Sequence, residues 1–163
     1  MAKTIITIGR QFGSNGRNIG RKLAEKISAN FYDKELINET AKESGLSEEF
    51  LKSLDEKPTR SFLSVFVGRC ADYALRHNTN LVRIFIHAPL EERIKNVSER
   101  FNLTPDKAKA QIVKEDKARA SYYNYYTSKK WGALESYDIF INSSLMSEDD
   151  TVDFIIDYID RIK

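Results

Sequence analysis

The sequence predicts an α/β sandwich built on a parallel sheet. Thr4, Ile5, Ile6, Thr7 and Ile8 form an unbroken β-branched run that stops at Gly9. It has no polar alternation, the pattern of a strand buried on both faces, as parallel sheets require. Ile19, Leu23, Ala24 and Ile27 then recur at helical spacing, so a helix starting near Asn15 or Gly16 would lay an apolar stripe back on that strand. Strand-like and helix-like segments go on alternating to the C-terminus, the order of right-handed crossovers in a parallel sheet.

Taken in order, residues 30–33 (NFYD) read as a short strand that ends by presenting Asp33 beside Lys34, and residues 35–44 as a helix stopped by Gly45. Ser47 is placed to cap a second helix reaching about Asp55, before Pro58 interrupts. Residues 62–67 (FLSVFV) and 81–87 (LVRIFIH) are the next strands, the first ending at Gly68-Arg69. After Pro89 a helix carries Ile94, Val97 and Phe101 inward, and Thr104-Pro105 supplies cap and first residue of a long basic helix running into the tyrosines at 122–126. Residues 137–141 (YDIFI) are the last strand. Ser147 with Asp150 three residues on begins a helix bearing Val152, Ile155, Ile156, Ile159 and Ile162. That stripe covers the sheet, and it would also suit a homodimer interface.

A chain of 163 residues with 41% hydrophobic and 31% charged side chains fits one soluble domain, residues 1–163, with a single sizeable core. No apolar run is long enough to span a membrane, the N-terminus enters a strand without a signal-peptide pattern, and the single Cys70 suits a reducing cytoplasm. The net charge of +2 does not favour nucleic acid as a partner. The charge is unevenly spread, however. Residues 104–130 hold seven basic against three acidic side chains, a net of +4, and residues 131–163 two basic against eight acidic, a net of −6. His77 and His87 have no cysteine or carboxylate cluster around them, so no metal site is read from the chain itself.

The chemistry concentrates at the strand ends, where ligands of parallel sheets sit. Gly9, Gly13 and Gly16 stand between the first strand and its helix. Glycines there let successive N–H groups point inward, and the helix N-terminus adds partial positive charge, so the loop either holds phosphate or is a purely structural turn. The usual G-x-x-x-x-G-K-[ST] pattern is absent: Gly16 stands at its lysine and Arg17-Asn18 at its hydroxyl residue. What remains is a glycine cradle flanked by Arg10 and Arg17, either of which could bind phosphate through two parallel hydrogen bonds. Arg69, directly after an apolar strand and Gly68, is a phosphate ligand or the partner of an internal ion pair with Asp72. Residues 104–130 could act as a basic lid, since phosphoryl transfer is accelerated mostly by positioning and by cations that arrive as water leaves. In the bland alternative those basic side chains form a solvated helix face and Tyr122, Tyr123, Tyr125, Tyr126 and Trp131 are packing.

Several stretches in one order, GRQFGSNGRNIGRKLAEKI, FYDKELI, VGRCADYALR, RIFIHAPLEERIKNV, DKARASYYNYYTSKKW and YDIFINSS, resemble the cytidylate kinase-like family, a branch of the P-loop nucleoside monophosphate kinases. The resemblance implies a three-layer P-loop sandwich with a five-stranded sheet in the order 2-3-1-4-5 and a helical lid. It also implies ATP and Mg²⁺ as cofactors, and phosphoryl transfer to a nucleotide such as cytidylate. Carried over, Gly13, Ser14, Asn15, Gly16 and Arg17 fall on the phosphate loop, and Asp33 on an aspartate that faces the acceptor. Gly68-Arg69 falls on a Gly-Arg-Asp motif whose arginine binds the acceptor phosphate, although Cys70 stands third and leaves the carboxylate role to Asp72. Arg119, with Lys114 and Asp116, resembles the lid segment that closes over the transferring group. Two departures accompany the resemblance: the missing loop lysine and hydroxyl, and a shortened acceptor-binding region at residues 45–61, with the shortfall between Pro58 and Val67. They leave open a second class of function, a nucleotide-binding or regulatory module without turnover. A third is an interaction protein using the acidic C-terminal helix.

Overall fold

The computed structural model describes residues 4–33, 63–68, 70–77 and 79–162. Among these, β1 (Thr4–Arg10), β2 (Asn30–Tyr32), β3 (Leu63–Val67), β4 (Leu81–His87) and β5 (Ile139–Asn142) form one parallel sheet in the order β2-β3-β1-β4-β5, as the resemblance implied. Helices α1 (Gly16–Lys26), α2 (Ala71–Ala74), α3 (Leu90–Phe101), α4 (Pro105–Thr127) and α5 (Glu148–Ile162) alternate with the strands. The helices expected at 35–44 and 47–55 and the shortened region at 45–61 lie outside the described residues.

β1 is the central strand, with Ile6 opposite Val65 of β3 and Val82 of β4. One face sends Ile6 and Ile8 into a core with Ile19, Leu23 and Ala24 of α1 and Val152, Ile155 and Ile159 of α5. The other packs Ile5 against Phe66 and Ala71. Each such fully buried side chain stabilises the fold by about 1.5–3 kcal/mol, which is why an unbroken apolar run suits this position and an alternating one would not. The helix starts follow local chemistry. The Lys107 amide donates to Thr104 Oγ1 at 3.4 Å ahead of Pro105, and the Asp150 amide donates to Ser147 Oγ at 3.0 Å.

Two details differ from the sequence reading. Phe101 is not inward: it is 46% exposed and stacks on Phe12, ring centroids 6.1 Å apart. The last strand begins at Ile139, because Tyr137 buries its ring against Phe85 and Phe140 before the ladder starts. As the sequence reading expected, Ile155 and Ile159 cover the sheet, while Ile162 is exposed. No described helix is long and apolar enough to cross a membrane.

Candidate functional site

All five strands run the same way, so Arg10, Asp33, Gly68, His87 and Asn142 arrive at or next to one edge of the sheet. The loop after β1 is held there from outside. Asn96 of α3 donates to the Gly13 carbonyl at 2.9 Å, Ser143 Oγ to the Ser14 carbonyl at 2.6 Å, and the Ala88 amide to Gln11 Oε1 at 3.1 Å. A trans peptide points its C=O and N–H in opposite directions, so tying down the Gly13 and Ser14 carbonyls fixes the directions of the two amides that follow, that of Ser14, which donates to the Gln11 carbonyl at 3.3 Å, and that of Asn15. Gly13 has φ +83°, and a Cβ there would meet Val97 Cγ2 at 2.9 Å and the Arg93 carbonyl at 3.0 Å. Asn15 also takes the left-handed conformation, φ 63°, immediately before α1.

Two hollows open at this edge, and Arg10 and Arg119 line both. The first, about 190 Å³, lies under the glycine loop and is bordered by Gly13, Asn15, Gly16, Arg17, Asp33, Asn96 and Arg100. The second, about 260 Å³, is walled by Tyr122, Tyr123, Trp131 and Tyr137 and holds Asp72 and Gly68. Gly68, φ +80°, makes room between them, since a Cβ there would come within 2.7 Å of Arg10 Nη1.

Arg10 has no ion pair among the described residues. Burial first, then the neighbouring Arg119 and Arg17 charges, push its guanidinium down to about 9. A half-buried cation repelled by two others is a site that gains from an anion. Arg119 is likewise pushed down by burial. Its Nη1 donates to the Arg10 carbonyl at 3.0 Å, and its guanidinium carbon lies 5.4 Å from the centre of the Phe12 ring. One turn earlier, Asp116 accepts from the Phe12 amide at 2.8 Å and from Arg93 Nη1 at 2.7 Å, and Arg93 Nε donates to the Ala88 carbonyl at 2.9 Å. The middle of α4 therefore grips the loop from above.

In the aromatic hollow Asp72 accepts from Tyr123 Oη at 2.7 Å. Burial raises the Asp72 carboxyl, and burial with the Asp72 charge raises Tyr123 and Tyr137 well above the ordinary phenol range. The hydroxyl of Thr7, on β1, is buried without a hydrogen-bond partner among the described residues.

The other sequence-based candidates divide. Arg17 borders the loop hollow, but its guanidinium donates to Asp33 through Nη2 at 2.6 Å and Nε at 3.1 Å. Asp33 borders that same hollow and not the aromatic one. Ser14 is turned away: it is fully buried, with its amide and hydroxyl both donating to the Gln11 carbonyl, at 3.3 and 2.7 Å, so it shapes the loop and does not line it. Lys114 is exposed on α4 and borders neither hollow. Arg69 lies outside the described residues. Sequence reading missed Arg93, Asn96 and Arg100. Their signal was the spacing: with the buried Val97 they fall at i, i+3, i+4 and i+7 on α3, polar members of one helix face.

The Ser14 and Phe12 amides are spent within the protein, on Gln11 and Asp116, so what suits a polyphosphate here is the start of α1 at Asn15 and Gly16 together with the Arg10 and Arg119 guanidiniums. They do not make a protein cage for a divalent cation. The described residues hold no group of three acidic, histidine or cysteine side chains, and the Ser14 hydroxyl is committed to Gln11.

The family profile of the cytidylate kinase-like family matches residues 5–66 and 63–145. The chain belongs to the cytidylate kinase-like family. Its curated relatives include a cytidylate kinase of Methanopyrus kandleri, 26% identical in an alignment covering 97% of this chain and 94% of the relative. Among solved structures, an uncharacterized protein from Eubacterium ventriosum is 37% identical with a TM-score of 0.84, over 97% of this chain and 99% of that one. Shikimate kinase from Acinetobacter baumannii in complex with shikimate has 17% identity and a TM-score of 0.60, over 100% and 96% of the two chains, a likeness of fold alone.

Proposed function

We propose that this family member is a phosphotransferase that moves the γ-phosphoryl group of ATP to a nucleoside monophosphate such as CMP. The observation that carries the reading is the shared wall: Arg10 and Arg119 border both the glycine-loop hollow and the aromatic hollow. A phosphoryl group passing from one to the other would cross in front of them. The triphosphate would lie in the loop hollow, held by the start of α1 at Asn15 and Gly16 and by Arg10 and Arg17. The acceptor's ring would stack among Tyr122, Trp131 and Tyr137, with Asp72 able to take a hydrogen bond from it and Arg69 a candidate for its phosphate.

An oxygen of the acceptor phosphate attacks the γ-phosphorus and the bond to the β–γ bridging oxygen breaks, giving a nucleoside diphosphate and ADP. The acceptor is a dianion above about pH 6, so no proton has to be removed. Arg10 and Arg119 would stabilise the charge spread over the equatorial oxygens. Mg²⁺, which keeps several waters and binds largely through substrate phosphates, would arrive with ATP and neutralise part of that charge. A location in the cytoplasm belongs to the same proposal.

A coupled assay with Mg·ATP and a panel of monophosphates tests this. Transfer to at least one acceptor is expected, with CMP the leading candidate, and background rates on all of them overturn it. One observation favours a second reading, a nucleotide-binding module without turnover: Arg17, which stands near the usual lysine position, is already paired to Asp33. Calorimetric ATP binding with no transfer would select that reading.

A further inference from the structure

We propose that Asp33 serves the phosphate-donor side of the site, as the internal counter-charge that positions Arg17 beside Arg10 for a polyphosphate, and is not a ligand of the acceptor. This rests on the phosphotransferase reading but assigns Asp33 the opposite side from the one the family resemblance implied. The placement is direct. Asp33 follows β2, borders the loop hollow with Arg10 and Arg17, and is absent from the wall of the aromatic hollow. Its Oδ2 accepts from both Nη2 and Nε of Arg17, at 2.6 and 3.1 Å. Two donors on one oxygen fix the guanidinium plane as well as its position.

The exposures are unequal in a telling way. The Asp33 side chain is 7% exposed and that of Arg17 45%. The carboxylate is hidden and the guanidinium is presented, the arrangement of a support behind a binding group. The electrostatics agree, because Arg119 and Arg17 disfavour the Arg10 charge while Asp33 favours it. Without Asp33, cations gathered at one loop would face each other with less to hold them together. A phosphate acceptor that is already a dianion needs no general base, so the transfer does not ask Asp33 to remove a proton. Asp33 is thus a positioning residue acting through Arg17.

The test is a double-mutant cycle read by calorimetry with pyrophosphate and with ATP, on the full chain as wild type, Asp33→Asn, Arg17→Ala and the double variant, alongside KM for CMP. Loss of a hydrogen-bonded charge that orients a ligand group predicts pyrophosphate binding about 10-fold weaker in Asp33→Asn. In the Arg17→Ala background the same change is expected to cost less than about 2-fold, because the partner it acts through is gone. KM for CMP stays within about 2-fold of wild type. Asp33→Glu, which keeps the charge but moves it by one methylene, is expected to bind pyrophosphate with intermediate affinity, and it carries the test if Asp33→Asn does not fold by thermal denaturation. Unchanged or tighter pyrophosphate binding, additive losses, or an effect confined to KM for CMP overturns the proposal and leaves the phosphotransferase reading standing. Wild-type protein that binds neither ATP nor pyrophosphate overturns both.

Discussion

The two hollows share a strand end and two arginines yet are built by different means. The loop hollow is shaped by backbone: Gly13 and Asn15 adopt left-handed conformations, and the Gly13 and Ser14 carbonyls are tied down by Asn96 and Ser143. The aromatic hollow is made of side chains, with Tyr123, Tyr137 and Trp131 gathered around Phe85 and Asp72. A binding surface of amides reads charge and shape common to every triphosphate, whereas a surface of rings and one carboxyl can select a particular partner. Generality on one side and choice on the other would follow from that contrast.

The largest expected effect falls on the wall the two hollows share. Arg119→Ala should lower kcat by about 10³-fold with a much smaller change in KM for ATP. A loss confined to KM would place Arg119 in ground-state binding alone. Next is the tether of α4. Asp116→Ala leaves Arg93, whose side chain is 10% exposed, without its carboxylate, and should cost about 3 kcal/mol in urea denaturation. Trp131, the only tryptophan, whose amide donates to Asn124 near the end of the same helix, should report the loosening as a shift in emission. No shift would mean that the aromatic hollow does not depend on the grip above the loop.

Gly13→Ala should cost about 2 kcal/mol from the left-handed conformation and the clash with Val97 and Arg93. It should abolish pyrophosphate binding while sparing any ligand that binds only among the rings. The smallest effect separates the hollows by pH. Burial raises the Asp72 carboxyl, so ionising it costs the folded state more than the unfolded one. Its contribution is therefore favourable below the ordinary carboxylate range and is lost as pH rises through its raised value. Asp72→Asn should melt a little above wild type at pH 7, with the gap closing toward pH 4 and below, and with a higher KM for the acceptor. A constant gap across that range would show that Asp72 is not the titrating group.

Sequence reading went furthest where one residue type has one structural use. The β-branched run at Thr4–Ile8, the cap at Thr104-Pro105 and the glycine loop each came out in place, because burial, capping and left-handed turns are demands a short segment states by itself. It could not place Ser14 and Lys114, whose chemistry suits phosphate but which border neither hollow, because a loop bond to Gln11 and the rotation of α4 set their directions. Arg93, Asn96 and Arg100 were not singled out, since their part in the site shows only with α3 laid beside the loop.

The sequence by itself determined the layered α/β architecture and the gathering of glycines and arginines at strand ends, since periodicity and turn chemistry are local properties. Only the tertiary structure decided which charge meets which: that Asp33 stands behind Arg17, that Asp116 on α4 bonds the Phe12 amide, and that Arg10 is enclosed between two hollows without an ion pair among the described residues. Those facts depend on distances across elements far apart in the chain, and a Coulomb or hydrogen-bond energy exists only once such distances are set.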